Sequence, residues 1–411
     1  VLFNPIGIWF RGLLSLAAIG IGIYLLTRWH DALPTEQPVA QPTEQPVDPP
    51  TAMAPASRPL TSFGERLSAW RPGWDWPTAF LAGGAGLLLW SGLGRFVTPK
   101  LWLRREDDEP KQERGGEERQ IRRPDGTVLH VELYGDPDAP PVVFTHGWGG
   151  DATEWYYIKK DLARRFRLIL WDLPGLGRST GPDTRDFTVD KMARDLDAVL
   201  ELAGGRPAVL VGHSIGGMIS LTHCKLFPEA MGTRVAGLLL VHTTYTNPVY
   251  TKEPTWLLPV IQKPVLEPIC WLTVGLSPVA RLMTLLSYAN GSAHWSNHRS
   301  LFAGTESKGQ LEFVTEYMIK QSPAVLARGT LGMFRYDATA VLPAVTVPTL
   351  VVAGDRDRTT VPEASRRIAE GVPGAELVTL APARHMGLLE HHAEFTRLVT
   401  RFVETAGKVP A

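Results

Sequence analysis

Three regimes of hydrophobic patterning follow one another along the chain. From Ile8 to Thr27 about twenty residues are apolar or small, with Arg11 the one charge, which is the length a helix needs to cross a bilayer. An arginine near the end of such a helix reaches the headgroups with its long stem. A second run, Thr78 to Gly94, is free of charge and contains Leu87-Leu88-Leu89-Trp90, with Trp74 and Trp76 before it and Arg95 after it. Tryptophans at the edge of an apolar run suit a membrane interface. Between the two runs, Leu33 to Arg58 is proline-rich and repeats Thr35-Glu36-Gln37-Pro38-Val39 as Thr43-Glu44-Gln45-Pro46-Val47, which predicts an extended, semi-rigid linker.

The second regime is the mixed-charge stretch 106–123, which reads as a solvated tether. The third is a series of short apolar runs, Pro141–Thr145, Ala208–Val211, Val235–Val241, Thr349–Ala353 and Leu377–Leu380, which predict buried strands. About a hundred residues separate Val241 from Val347, far more than a parallel crossover requires. They carry apolar clusters at helical spacing broken by prolines, such as Cys270-Trp271-Leu272 and Leu282-Met283-Thr284-Leu285-Leu286. Most of these should pack a helical cap onto the core, while Trp256, Trp295 and Phe334 are candidates for a pocket lining. The predicted order is a transmembrane helix within 1–30, a proline-rich linker over 31–77, and a second transmembrane helix over 78–97. A charged tether over 98–118 and one α/β domain over 119–411 follow, with the cap at about 245–340.

The first run has a long apolar stretch, lacks a convincing small-residue cleavage pattern and is followed by another apolar segment, so it reads as one helix of a retained membrane hairpin, with a cleaved leader plus one anchor, or buried soluble helices, as alternatives. Arg95, Lys100, Arg104 and Arg105 beside the second run predict that this end faces the cytoplasm, although Arg28, Arg66 and Arg71 sit on the opposite side.

Candidate chemistry lies at the strand ends. Gly212-His213-Ser214-Ile215-Gly216 follows Ala208–Val211, and a serine on such a strand-to-helix corner has its hydroxyl lifted clear of the sheet edge, with glycines allowing close approach. His146-Gly147-Trp148-Gly149-Gly150, after Pro141–Thr145, is a turn whose backbone N–H groups can point inward. Asp355 and Asp357 follow Thr349–Ala353, and His385 follows Leu377–Leu380. Together with Leu168-Ile169-Leu170-Trp171-Asp172-Leu173-Pro174-Gly175-Leu176-Gly177-Arg178-Ser179 and Tyr336-Asp337, these segments resemble the α/β-hydrolase superfamily, particularly its capped esterase branch, from about Arg119 to Gly407.

The resemblance implies an α/β fold with a mostly parallel central sheet, and the chain order Ser, Asp, His is the one this superfamily uses. It implies Ser214 as nucleophile, His385 as base and Asp357 as the acid that orients it, with the backbone N–H groups of Trp148 and Ile215 as oxyanion donors. The pattern of Gly354, two residues, then an acid favours Asp357 over Asp355, which would cap its loop. His385 is preferred to His391 and His392, read as solvated residues on the terminal helix, while His146 and His213 read as structural neighbours. The implied activity is hydrolysis of carboxylic esters, with C–C bond hydrolysis, haloperoxidase-like perhydrolysis or acyl transfer, and non-catalytic binding as alternatives.

Composition narrows the partners. The formal net charge of the 411 residues is zero, which gives no footprint for nucleic acid. The partners expected are a small ester or acyl substrate and the membrane, with a bacterial inner membrane and a cytoplasmic domain as the predicted location. Two cysteines, Cys224 and Cys270, make no disulfide framework and read as packing residues. His294 and His298 share a helix face without an evident third ligand, so no metal is expected, and no nucleotide or flavin motif stands out.

Overall fold

A computed structural model describes residues 4–38, 57–73, 75–101, 103 and 105–406. The second copy of the proline repeat, Trp74 and Arg104 lie outside the described residues. By contact the chain divides into two units, residues 13–94, and residues 1–12 together with 95–411.

The smaller unit is built from α2 (Phe63–Ala69) and the greater part of helices α1 (Asn4–Asp31) and α3 (Trp76–Val97), whose residues 4–12 and 95–97 belong to the larger unit, with a short ladder of β1 (Glu36–Pro38) and β2 (Ser57–Pro59). Two ends of the predicted spacer therefore pair with each other. Ser62 and Glu65 form a reciprocal cap that starts α2. A Cβ on Gly84 would come within 2.9 Å of the Gly22 carbonyl oxygen, so glycines let α1 and α3 cross backbone to backbone. Both helices are long and apolar enough to cross a membrane, and only 22% and 17% of their apolar windows are buried. Such outward apolar surface suits lipid, not a soluble helical core.

The larger unit is an eight-stranded sheet of β3 (Glu117–Arg122), β4 (Val128–Tyr134), β5 (Pro141–Thr145), β6 (Arg167–Trp171), β7 (Ala208–His213), β8 (Val235–Val241), β9 (Thr349–Gly354) and β10 (Glu376–Leu380). Its spatial order is β10-β9-β8-β7-β5-β6-β4-β3, with β4 antiparallel to both neighbours and every other pair parallel. Strands β5 to β9 are buried on both faces, which is why they read as continuous apolar runs. Helices α4 (Tyr156–Leu162), α5 (Val189–Leu200) and α6 (Ile215–Leu226) precede the cap, which holds α7 (Leu258–Ile261), α8 (Glu267–Gly275), α9 (Ser277–Ala289), α10 (Ser292–Leu301), α11 (Lys308–Lys320) and α12 (Pro323–Met333). Helices α13 (Pro362–Gly371), α14 (Gly387–Glu390) and α15 (His392–Ala406) complete the fold. In α5, Val189, Met192, Ala193, Leu196, Val199 and Leu200 recur at helical spacing and are buried, after an N-cap at Thr188.

Register gathers the strand ends. Thr145 lies opposite Gly212, His213 opposite Val241, Val241 opposite Val352, and Gly354 opposite Leu380. The segments leaving β5, β7, β8, β9 and β10 thus emerge side by side. The chain passes from β5 to β6 on one side and returns to β7 on the other, and such a switch point leaves a crevice at the carboxyl ends.

The tether is not solvated as expected. Asp108 pairs with Lys160 at 2.7 Å, and the Gln112 side chain donates to the Phe313 carbonyl. Arg114 donates to Glu132 at 2.5 Å and to Asp172 at 3.1 Å, and lies 3.4 Å from Asp151. Three acids contributed by separate loops and strands need one cation, and the nearest segment of the tether supplies it. Charge patterning alone shows an alternating run, whereas this pairing is tertiary. Arg114→Ala should lower stability by about 3–5 kcal/mol in denaturant unfolding of the detergent-solubilised chain, because Glu132 and Asp172 would remain buried without their cation. A change below 1 kcal/mol would show the cluster to be solvated.

Candidate active site

Ser214 sits between β7 and α6 with φ 53° and ψ −115°. This strained backbone costs about 1–3 kcal/mol. It is held by the Ser214 N–H donating to the Val241 carbonyl at 2.8 Å and by the Thr243 hydroxyl donating to the Ser214 carbonyl at 2.6 Å. The flanking glycines are required by close approach, since a Cβ on Gly212 would lie 2.4 Å from Gly216, and one on Gly216 would lie 2.2 Å from the Thr145 carbonyl oxygen.

Three predicted side chains meet at this corner. His385 Nε2 is 3.0 Å from Ser214 Oγ, and His385 Nδ1 is 2.8 Å from Asp357 Oδ2. All three residues are buried, Ser214 keeping 7% exposure. The Asp357 carboxylate also accepts from the N–H groups of Thr359 and Thr360 and from the Thr360 hydroxyl. Burial pushes this carboxyl up, but the facing His385 imidazole and the Thr359 N–H outweigh burial and hold it below the usual carboxylate range. Burial also lowers His385 below its ordinary value, and Asp357 opposes this only in part. At neutral pH the imidazole is therefore a free base facing the hydroxyl. Asp355 instead caps the Ala383 N–H at 2.7 Å.

Ile215 opens α6, so its N–H has no acceptor within the helix. Trp148 lies in the turn after β5, its indole N–H donating to the Leu326 carbonyl in α12 and its ring touching Gly329. A second buried acid–base pair, Glu154 and His213, braces this turn. Glu154 Oε1 accepts the Gly147 N–H at 3.1 Å and lies 2.9 Å from His213 Nδ1, while His213 Nε2 is 3.1 Å from the His385 carbonyl oxygen. Burial would lower His213, but the Glu154 carboxylate overcomes it and raises His213 above its ordinary value. His242, 3.7 Å from Asp357, is pushed down to about 3 by burial and is neutral. The cavity lined by Gly147, Trp148, Glu154, His213, Tyr317 and His385 is about 10 Å³, room for about one water.

The match to the alpha/beta hydrolase family spans residues 142–398. The chain belongs to this family. It is 28% identical over 282 residues to a pimeloyl-[acyl-carrier protein] methyl ester esterase of Chromobacterium violaceum, covering 67% of this chain and 98% of that protein. It is 25% identical over 283 residues to the AB hydrolase superfamily protein YisY of Bacillus subtilis, covering 69% and 97%. A thermophilic esterase from Thermogutta terrifontis superposes with a TM-score of 0.59 at 24% identity, over 71% of this chain and all of that one.

Other predicted residues of this alpha/beta hydrolase are placed elsewhere. His391 Nε2 donates to the Pro382 carbonyl at 2.8 Å, and His392 stacks on Tyr157 with ring centroids 3.8 Å apart, so neither is a merely solvated residue. His294 pairs with Glu312 and His298 with Glu306, two separate carboxylates, and the described residues hold no cluster of three metal-ligating groups. Trp256 and Trp295 are exposed on the outside of the cap and do not line an enclosed pocket, whereas Phe334 is buried. Cys224 and Cys270 are buried thiols, both pushed up to about 12 by burial. A cavity of about 510 Å³ lined by Cys224, Met231, Asp337 and Val341 sits towards the far end of α6 from Ser214.

Sequence reasoning missed Glu154, Thr243, His242 and Thr360. An acid so soon after the glycine turn, just before Trp155, was the available signal for Glu154. Labelling of Ser214 by a fluorophosphonate needs neutral His385, so its rate should fall as pH drops through the imidazole pKa, with the half-loss point below pH 6.5. Asp357→Asn removes the opposing charge; the half-loss point should move further to acid and the rate should fall by about 10⁴. A half-loss point above pH 6.5 would contradict the burial argument.

Proposed function

We propose that the chain is a membrane-tethered serine hydrolase of carboxylic esters. The observation that carries this reading is the continuous chain of contacts from Asp357 through His385 to Ser214, at 2.8 and 3.0 Å. His385 Nε2 takes the Ser214 proton as Oγ attacks the ester carbonyl, and Asp357 holds the Nδ1–H and stabilises the imidazolium. The tetrahedral oxyanion is received by the N–H groups of Trp148 and Ile215, each worth about 2.7–4 kcal/mol. Collapse expels the alcohol, protonated by His385, and leaves an acyl-enzyme. Water then enters the same cycle, giving up its proton to His385, and releases the acid.

Esters are favoured because a free-base imidazole beside a buried serine suits acyl transfer, and because the pimeloyl methyl ester esterase and the Thermogutta esterase share the family and fold respectively. The helices α1 and α3 supply the tether, and the basic residues after α3 favour a cytoplasmic catalytic domain at a bacterial inner membrane.

The decisive measurement is hydrolysis of a p-nitrophenyl ester series from acetate to palmitate by the full chain beside Ser214→Ala. Loss of at least about 10⁴-fold in kcat is expected. Equal rates for the two proteins would remove the assignment, and no turnover by a fluorophosphonate-reactive protein would move it to C–C hydrolysis or perhydrolysis. Gly329→Val tests the link between cap and oxyanion turn: the added Cβ would lie 1.9 Å from the Trp148 ring and must displace it. A fall in kcat of about 10²-fold is expected, with fold retained by circular dichroism.

A further inference from the structure

The cap has a surface unlike the rest of the hydrolase unit. Among the described residues, 105–249 expose no large apolar side chain and 302–406 expose only Leu377, whereas 250–295 expose many. On α9, Ala280, Met283 and Ser287 are buried, and Val279, Leu282 and Leu285 point outward at a spacing of three, with Leu272 and Leu276 continuing the stripe from α8. A helix with water on that side would carry polar residues there. The segments Leu258–Gly275 and Ser277–Ala289 together reach the hydropathy of a membrane segment but are bent by 98° at their junction, so they do not form a straight span.

What covers this face follows from chain continuity. The first turns of α1 belong to the same unit as the cap: Ile8 is buried with Ala280 and Met283, the Trp9 indole donates to Thr273 at 2.8 Å, and a Cβ on Gly12 would collide with Met283. Arg95, at the end of α3, lies 4.9 Å over the Tyr288 ring of α9. The ends of both membrane-crossing helices are thus fastened to α8 and α9. A pair of helices fastened to the points where two spans leave the bilayer is held at the bilayer surface. Trp271 is half exposed there with the Arg328 guanidinium 5.9 Å from its ring, an aromatic and cation pairing suited to the headgroup layer.

We propose that the apolar face of α8 and α9 is seated in the interfacial layer of the phospholipid bilayer that holds α1 and α3. The cap over Ser214 then draws its ester from lipid, a consequence that rests on the ester-hydrolase reading, while the docking does not. The test uses the full chain in phosphatidylcholine–phosphatidylglycerol vesicles, spin-labelled at Leu282→Cys or, as a reference, Leu377→Cys; the buried native cysteines stay unreactive. The label at 282 should be relaxed more by oxygen than by a water-soluble nickel chelate, and the label at 377 the reverse. Nickel accessibility at 282 equal to that at 377 overturns the docking. Shielding from both reagents with dipolar broadening, the mark of a second copy on this face, also overturns it. A Val279→Glu, Leu282→Glu double variant should lose about tenfold in turnover of a long-chain ester dissolved in the bilayer and keep its rate on p-nitrophenyl acetate. Equal rates on the bilayer ester would overturn lipid-side access, whereas failure of the unsubstituted chain on every ester would strike the hydrolase reading and leave the label result to decide docking.

Discussion

Everything at the candidate site depends on holding one serine in a backbone conformation that it would not choose. Ser214 at φ 53° costs about 1–3 kcal/mol, and the surroundings over-determine it. Its N–H is taken by Val241, its carbonyl by Thr243, and no side chain fits at Gly212 or Gly216. The strained corner leaves the hydroxyl 3.0 Å from His385 Nε2, and α6 begins at the next residue. Relaxing the corner would lose the direction of the Ser214 hydroxyl towards His385.

Two buried charge systems brace this corner from opposite sides. Asp357 is saturated by His385, the Thr359 and Thr360 N–H groups and the Thr360 hydroxyl, so it remains ionised in an apolar setting. Glu154 and His213 tie the turn after β5 to the end of β7 and to the His385 backbone. Neither system can be loosened without leaving a charge buried alone, which makes both stiff. The Arg114 cluster extends the same logic outward by reaching Asp151 and Asp172 beside the turn after β5.

The cap closes over this arrangement with a contrast between its two faces. Inward, α12 receives the Trp148 indole at Leu326 and leaves room for its ring at Gly329. Outward, α8 and α9 present leucines, valines and a tryptophan. Helix α12 therefore connects the covering layer to the turn that would receive the oxyanion.

The sequence by itself determined the two long apolar helices, the central strands and the candidate positions at their ends. A twenty-residue run with one charge has few stable fates other than a membrane helix, and apolar pentads ending in glycine turns have few other than buried parallel strands. Ser214 and Asp357 were legible because each follows such a strand, and strand ends converge once the register is parallel; His385 follows β10, which pairs in parallel but, as the sheet edge, is mostly exposed and not the buried strand expected. Only the tertiary structure decided what depends on distant partners. Arg114 reads as a charge of the solvated tether, and Glu154 carries no signal of its partner, until β7, β4 and β6 bring His213, Glu132 and Asp172 beside them. His391 and His392 gained partners the same way, from Pro382 and Tyr157. The division of the cap's apolar residues into an inward and an outward set was likewise hidden, since helical spacing gives a stripe's period but not the surface it faces. Local pattern fixes conformation through short-range sterics and burial, whereas pairing of buried charge depends on which segments the fold brings within a few ångströms.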